Sequence, residues 1–177
     1  MSRITMLRKL NDYITLLFIT VLITVGSKET TAVQLQDLDV EKFNDIMSNK
    51  PPITLLFIFT SWCKACKSAI PEVLELGAKY KAGKKVEVIM LSLDENVNNL
   101  KRLLATYKGY EDKFYYFNEA ERKKIGLALF NSGIKYRGTI PHVTIFHNNR
   151  IIADDNYEIQ SVKNFIAYLC EKEFSLK

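Results

Sequence analysis

Two of the three cysteines in this 177-residue chain, Cys63 and Cys66, stand in "FTSWCKACKS" (59–68), with only Lys64 and Ala65 between them. Cysteines at this spacing serve three chemistries: half of a metal site, a structural disulfide, or reversible thiol–disulfide exchange. A structural zinc takes four ligands, and the candidates are Cys63, Cys66, Cys170, His142 and His147. The two histidines lie five apart on one expected strand, an odd spacing that sends them to opposite faces. They cannot both join the same cysteine pair, so no metal is expected. Three cysteines are too few for a disulfide scaffold.

Exchange chemistry needs a stabilised thiolate, and the flanking sequence provides for one. "ITLLFIF" (53–59) is apolar but for Thr54 and bounded by Pro51-Pro52 and Thr60-Ser61, the pattern of a strand buried on both faces. From Cys63 to about Lys81 the period becomes helical, with Ile70, Val73, Leu74 and Gly77 recurring. The first turn of a helix carries unpaired N–H groups and the positive end of the dipole. In such settings a thiol pKa falls from ~8.5 into the range ~3.5–7.5. Cys63 is therefore the expected nucleophile and Cys66, one turn on, the resolving thiol. Lys64 adds a positive charge that modulates the pair. Pro71 falls inside the helix, where a kink is expected. Far downstream, in "RGTIPHVTIF" (137–146), Pro141 opens a strand directly after Ile140. That place suits a cis peptide bringing the backbone of residue 140 against the thiols.

The remaining chain supplies the elements that must hold these residues. "LQDLDVEKFNDIMSNK" (35–50) reads as a helix capped by Asp37 or Asp39, with Val40, Phe43, Ile46 and Met47 on one face. "KVEVIMLSL" (85–93) is a second central strand and "ENVNNLKRLLATY" (95–107) a helix. "KFYYFN" (113–118) fits a short strand or an aromatic loop, and residues 119–133 a helix ending at Gly133. "HVTIFHNNRIIAD" (142–154) is a hairpin turning at Asn148-Asn149, and residues 158–173 close the chain as an amphipathic helix. Strand, helix, strand, then hairpin and helix describe an α/β domain with a mixed central sheet flanked by helices.

The start of the chain reads as an export signal. "MSRITMLRKLND" is basic and polar, "YITLLFITVLITVG" (13–26) nearly unbroken apolar, and "SKETTA" carries small residues at Thr30 and Ala32. The apolar run falls short of the ~20 residues that span a bilayer comfortably. Lys28 and Glu29 fit a cleavage region poorly, so a membrane anchor through 13–26 stays open beside a cleaved signal. Either places the thiols outside the cytosol: periplasmic, secreted, or tethered to the outer face of the membrane. Net charge is +5, and residues 1–32 hold Arg3, Arg8, Lys9 and Lys28 against Asp12 and Glu29. With no basic cluster interleaved with aromatics elsewhere, no nucleic-acid partner is expected.

"FTSWCKACKSAIP", "VIMLSLDE" and "YRGTIPHVTIFHNNRII" together resemble the thioredoxin superfamily, and within it the extracytoplasmic TlpA-like thiol–disulfide oxidoreductases. The resemblance spans roughly residues 50–170. It implies a thioredoxin-like fold over 53–174, preceded by a lead-in helix and linker at 33–52, with a strand–helix insert within 94–133. It also implies Cys63 as attacking thiol, Cys66 as resolving thiol, Pro141 as the cis-proline, and Trp62 and Ile140 lining the surface where a partner docks. The activity implied is exchange with other dithiol and disulfide proteins, as a reductase, without cofactor. A disulfide-forming oxidase, or a redox-inert module holding a peptide or copper, are the alternatives. The chain departs from the families it resembles where they keep an acid: Phe57 stands six residues before Cys63 and Ala69 three after Cys66. It also carries Lys64-Ala65 between the cysteines, a charged dipeptide that favours the reduced form.

Overall fold

A computed structural model describes residues 34–81, 83, 86–107 and 113–174. The expected export segment, residues 1–32, lies outside them. The elements run β1 (Gln34–Leu38), α1 (Val40–Ser48), β2 (Ile53–Phe59), α2 (Lys64–Lys81), β3 (Val86–Ser92), α3 (Val97–Leu104), β4 (Lys113–Phe117), a 3-10 turn (Arg122–Lys124), α4 (Ile125–Asn131), β5 (His142–His147), β6 (Arg150–Asp155) and α5 (Ile159–Phe174). The strands form one six-stranded sheet in the order β1-β4-β3-β2-β5-β6. β2 pairs parallel with β3 and antiparallel with β5, so the sheet is mixed.

All seven residues of β2 are buried, because both faces of the sheet are covered. Ile53, Leu55, Phe57 and Phe59 point into one core with Ile70, Val73 and Leu74 of α2, Leu100 of α3 and Val162 and Ile166 of α5. Leu56 and Ile58 point into the other, with Phe43 and Met47 of α1 and Ala128 and Leu129 of α4. A two-sided strand has no polar face, which is why its sequence is apolar without alternation.

The stretch expected to be a single helix over 35–50 divides. Residues 34–38 form β1, paired in parallel with β4, and the helix begins only at Val40. Leu35 and Leu38 are three apart, a spacing that shares one face of a helix but opposite faces of a strand. Here each residue finds a core: Leu35 packs against the first and Leu38 is buried in the second. Asp39 caps α1, accepting from the Lys42 N–H at 2.8 Å. That bond, chiefly, and the nearby Lys42 ammonium hold the Asp39 carboxyl below its ordinary range.

The aromatic segment is a strand, β4, inserted between β1 and β3, with Phe114 and Phe117 fully buried. The helix over 119–133 forms as the 3-10 turn and α4, and Gly133 follows at φ +79°. That left-handed residue ends the helix, its successor Ile134 donating back to the Leu129 carbonyl at 3.0 Å. The hairpin turns at Asn148 and Asn149, both with positive φ, the conformation a two-residue turn between twisted strands requires.

Candidate functional site

β2 ends at Phe59, and α2 begins at Lys64 and runs for 18 residues. Cys63 occupies the capping position between them. Its backbone carbonyl accepts from the Lys67 N–H at 3.1 Å, the first helical bond, and its own N–H donates to the Thr60 carbonyl at 3.3 Å. Its Sγ accepts from the Cys66 N–H at 3.1 Å. This sulfur thus does what a serine or aspartate oxygen does at a helix start: it satisfies one of the unpaired donors. An anion there gains a charge-assisted hydrogen bond and the field of the helix.

Cys63 and Cys66 are joined as a disulfide with Cα atoms 5.2 Å apart. Their exposures differ in the sense the chemistry needs. Cys63 is 7% exposed and Cys66 wholly buried. What solvent exposure the pair has lies at the first cysteine. Beside them Trp62 is 70% exposed, a large apolar surface at the mouth of the site. Lys64 and Lys67 are also exposed, and the first turn of α2 carries no acidic residue.

Pro71 lies inside α2 and has no N–H to offer the Lys67 carbonyl. The Tyr107 hydroxyl stands 3.4 Å from that oxygen and donates to it. Burial pushes the Tyr107 hydroxyl above its ordinary pKa, so the donor keeps its proton.

β5 carries the second half of the site. Its register sets His142 opposite Ile58 of β2, so the chain entering β5 passes the end of β2 from which Cys63 follows. The Ile140–Pro141 bond there is cis, and Ile140 packs against the core cluster that contains both cysteines. Pro141 is half-buried. The structure thus gathers Trp62, Cys63, Cys66, Ile140 and Pro141 at one end of the sheet.

His142 is not part of this group. Val143 and Ile145 point into the cysteines' core, so His142, by strand alternation, points to the other face. It is 2% exposed, its Nε2 lies 2.8 Å from Asp154 Oδ1, and Tyr136 meets its ring edge-on. Asp154 also accepts from the Thr144 hydroxyl and the Lys135 N–H. The residue next to Pro141 therefore anchors β5 to β6. Cys170 is buried in α5 among the same core residues as the redox pair. Among the described residues no group of three or more His, Cys, Asp or Glu is placed to hold a metal ion.

Beneath Cys66 the surroundings are apolar. Phe57 is 1% exposed and stacks on Phe59. Ala69, which the helix start suggests as an exposed position, is 8% exposed and belongs to the same core cluster. A glutamate there would be buried, and a buried, unpaired carboxylate is costly.

One buried acid does reach the site, and sequence reasoning missed it. Asp94, just past β3, is 4% exposed. Its Oδ2 accepts from the Ser61 N–H at 2.8 Å and from the Ser92 hydroxyl at 2.7 Å, and its Oδ1 accepts from the Ser61 hydroxyl at 2.5 Å. Only an acid directly after a strand that neighbours β2 hints at this, and nothing in the sequence names Ser61 as its partner.

A family model for thioredoxin-like proteins matches residues 51–152. No curated protein matches the sequence. Solved structures share the fold. A thioredoxin-like protein from Bacteroides caccae superposes with a TM-score of 0.53 at 18% identity, covering 70% of this chain and 42% of its own. A thiol:disulfide interchange protein from Bacteroides sp. gives 0.55 at 15%, over 70% of this chain and 76% of its own. A candidate thiol-disulfide oxidoreductase from Bacteroides vulgatus gives 0.54 at 18%, over 87% and 95%. At these identities the likeness is one of fold.

Proposed function

From the premise that the chain belongs to the thioredoxin-like family, we propose that it is a protein disulfide oxidoreductase working through Cys63 and Cys66, in the reducing direction and outside the cytosol. The observation that carries this reading is the capping position of Cys63, its sulfur 3.1 Å from the Cys66 N–H with Cys66 buried behind it. In the reduced protein the Cys63 thiolate attacks a disulfide of a partner protein. One partner sulfur leaves as a thiol and the other joins Cys63 in a mixed disulfide. Cys66 then loses its proton, attacks Cys63 Sγ and expels the second partner thiol, leaving the partner reduced by two electrons and the Cys63–Cys66 disulfide formed. A second dithiol protein returns the pair to the reduced state.

The exposed Trp62 and the backbone at Ile140 and Pro141 form the surface against which the partner's extended segment docks. Lys64, exposed beside Cys63, favours the thiolate. The extracytoplasmic assignment is supported by the order of charged, apolar and small residues over 1–32. The test is catalysed reduction of insulin by dithiothreitol, followed as turbidity. Parent protein should shorten the lag and Cys63→Ser should not, while Cys66→Ser should accumulate the mixed disulfide. Equal rates with parent, Cys63→Ser and no protein would overturn the proposal.

A further inference from the structure

Asp94 has no part in the exchange described above, yet it is tied to the loop that carries the nucleophile. Three donors converge on its two oxygens, two of them from Ser61. Ser61 and Ser92 are themselves buried, at 7% and 1%. An acceptor-only set of this kind suits a carboxylate anion. The Asp94 N–H closes the ring by donating to the Ser92 hydroxyl at 3.0 Å. Next to it the Leu93 N–H bonds the Phe59 carbonyl at 2.9 Å. The end of β3 therefore grips the end of β2 at Phe59 and the second residue beyond it, Ser61, immediately before Trp62 and Cys63.

Resting on the proposed exchange at Cys63 and Cys66, we propose that Asp94 is the positioning residue of this site: it fixes the Ser61 turn that presents Cys63, and its buried negative charge holds the pair toward the disulfide form, suiting it to reduction of partners. Two Cα steps separate Ser61 from Cys63, which puts the carboxylate on the order of 10 Å from the Cys63 sulfur. Asp94, Ser61 and Cys63 are all buried, so the charge is screened less than one at the surface. It opposes a second negative charge at Cys63, against the pull of the helix start.

The other charged groups near this end are Lys64 and Lys67 on α2, Glu95 after Asp94, and Arg122 of the 3-10 turn. Arg122 donates to the Glu95 carbonyl at 2.8 Å. Lys64, Lys67 and Glu95 are exposed. Among the described residues none of them forms an ion pair with Asp94, whose direct partners are the hydrogen-bond donors of Ser61 and Ser92. Arg122 offsets part of the field. At an effective dielectric of about 20 the remainder corresponds to roughly half a unit to one unit in the ionisation of Cys63.

The sign follows from which form is charged. A thiolate disfavoured by Asp94 makes the dithiol less stable relative to the disulfide, and removing the charge reverses this. The experiment alkylates the reduced protein with iodoacetamide across pH and reads the midpoint for Cys63. Asp94→Asn should lower that midpoint by about half to one unit. It should also raise the dithiol-to-disulfide ratio severalfold in a glutathione buffer at pH 7. Ser61→Ala keeps the charge and the backbone bond, and should leave the midpoint in place. An unmoved midpoint in Asp94→Asn, or the same movement in both variants, overturns the proposal.

Should Asp94→Asn fail to fold, the parent protein decides. The carboxyl carbon resonance of Asp94 should follow the ionisation of Cys63, and a resonance that ignores it overturns the proposal equally. None of these readings needs a partner protein. A protein inert toward insulin would sink the exchange reading and leave the Asp94 result standing by itself.

Discussion

The hydrogen bond from the Cys66 N–H to Cys63 Sγ can be removed without removing Cys63. Proline at position 66 has no N–H, and proline is tolerated in the first turn of a helix. Alanine at the same position keeps the donor and also lacks the second thiol, so the pair Cys66→Ala and Cys66→Pro differs at the donor. The helix dipole acts in both and cancels. A hydrogen bond to a charged group contributes roughly 1.5–3 kcal/mol, and one pKa unit corresponds to about 1.36 kcal/mol. Cys63 is 7% exposed, so water replaces the lost donor only in part. The Cys63 ionisation midpoint should then rise by about one to two units from Cys66→Ala to Cys66→Pro. The assay is the pH dependence of alkylation by iodoacetamide, with far-UV circular dichroism to show that both variants are folded. Cys66→Ala should itself titrate below the ordinary thiol value of about 8.5. Identical midpoints in the two variants, or a Cys66→Ala midpoint at the ordinary value, would refute the assignment of Cys63 as a helix-capping thiolate.

Two further outcomes follow from the packing. Cys66 is wholly buried in the same apolar cluster as Phe57 and Ala69, an environment that disfavours a thiolate, so single-turnover release from the mixed disulfide should accelerate as pH rises through about 8–9; a flat profile from pH 6 to 10 would show that another group takes the proton. His142→Ala should cost about 1–3 kcal/mol of stability in urea denaturation, through the lost bond to Asp154 and the space it leaves. Because His142 faces the other core, its removal should not move the Cys63 alkylation midpoint, and a clear movement would contradict that placement.

Several features were settled by residues close together in the chain. The two-sided burial of β2 shows in its run of apolar residues without alternation, and the capping place of Cys63 in the change from that run to helical spacing. The Asn148-Asn149 turn and the end of α4 at Gly133 follow from which residues accept positive φ. Each of these is a local preference, expressed over a few residues, and needs no knowledge of distant partners.

Other features depended on what the chain meets after folding. Leu35 and Leu38 fit a helix face as well as a strand, and only the presence of β4 beside them, with a core on each side of the sheet, decides for β1. Ala69 looks exposed from its place near a helix start, but the helix face on which it lies packs against the sheet. The Lys67 carbonyl left without a partner by Pro71 is foreseeable; that Tyr107, forty residues on, reaches it is not. Asp94 is 33 residues from Ser61, and its bond to that turn exists because β3 lies parallel against β2 and ends level with it. Periodicity and turn preference report the conformation of a segment, whereas a hydrogen bond between segments depends on their register, which is set by the simultaneous packing of all the layers.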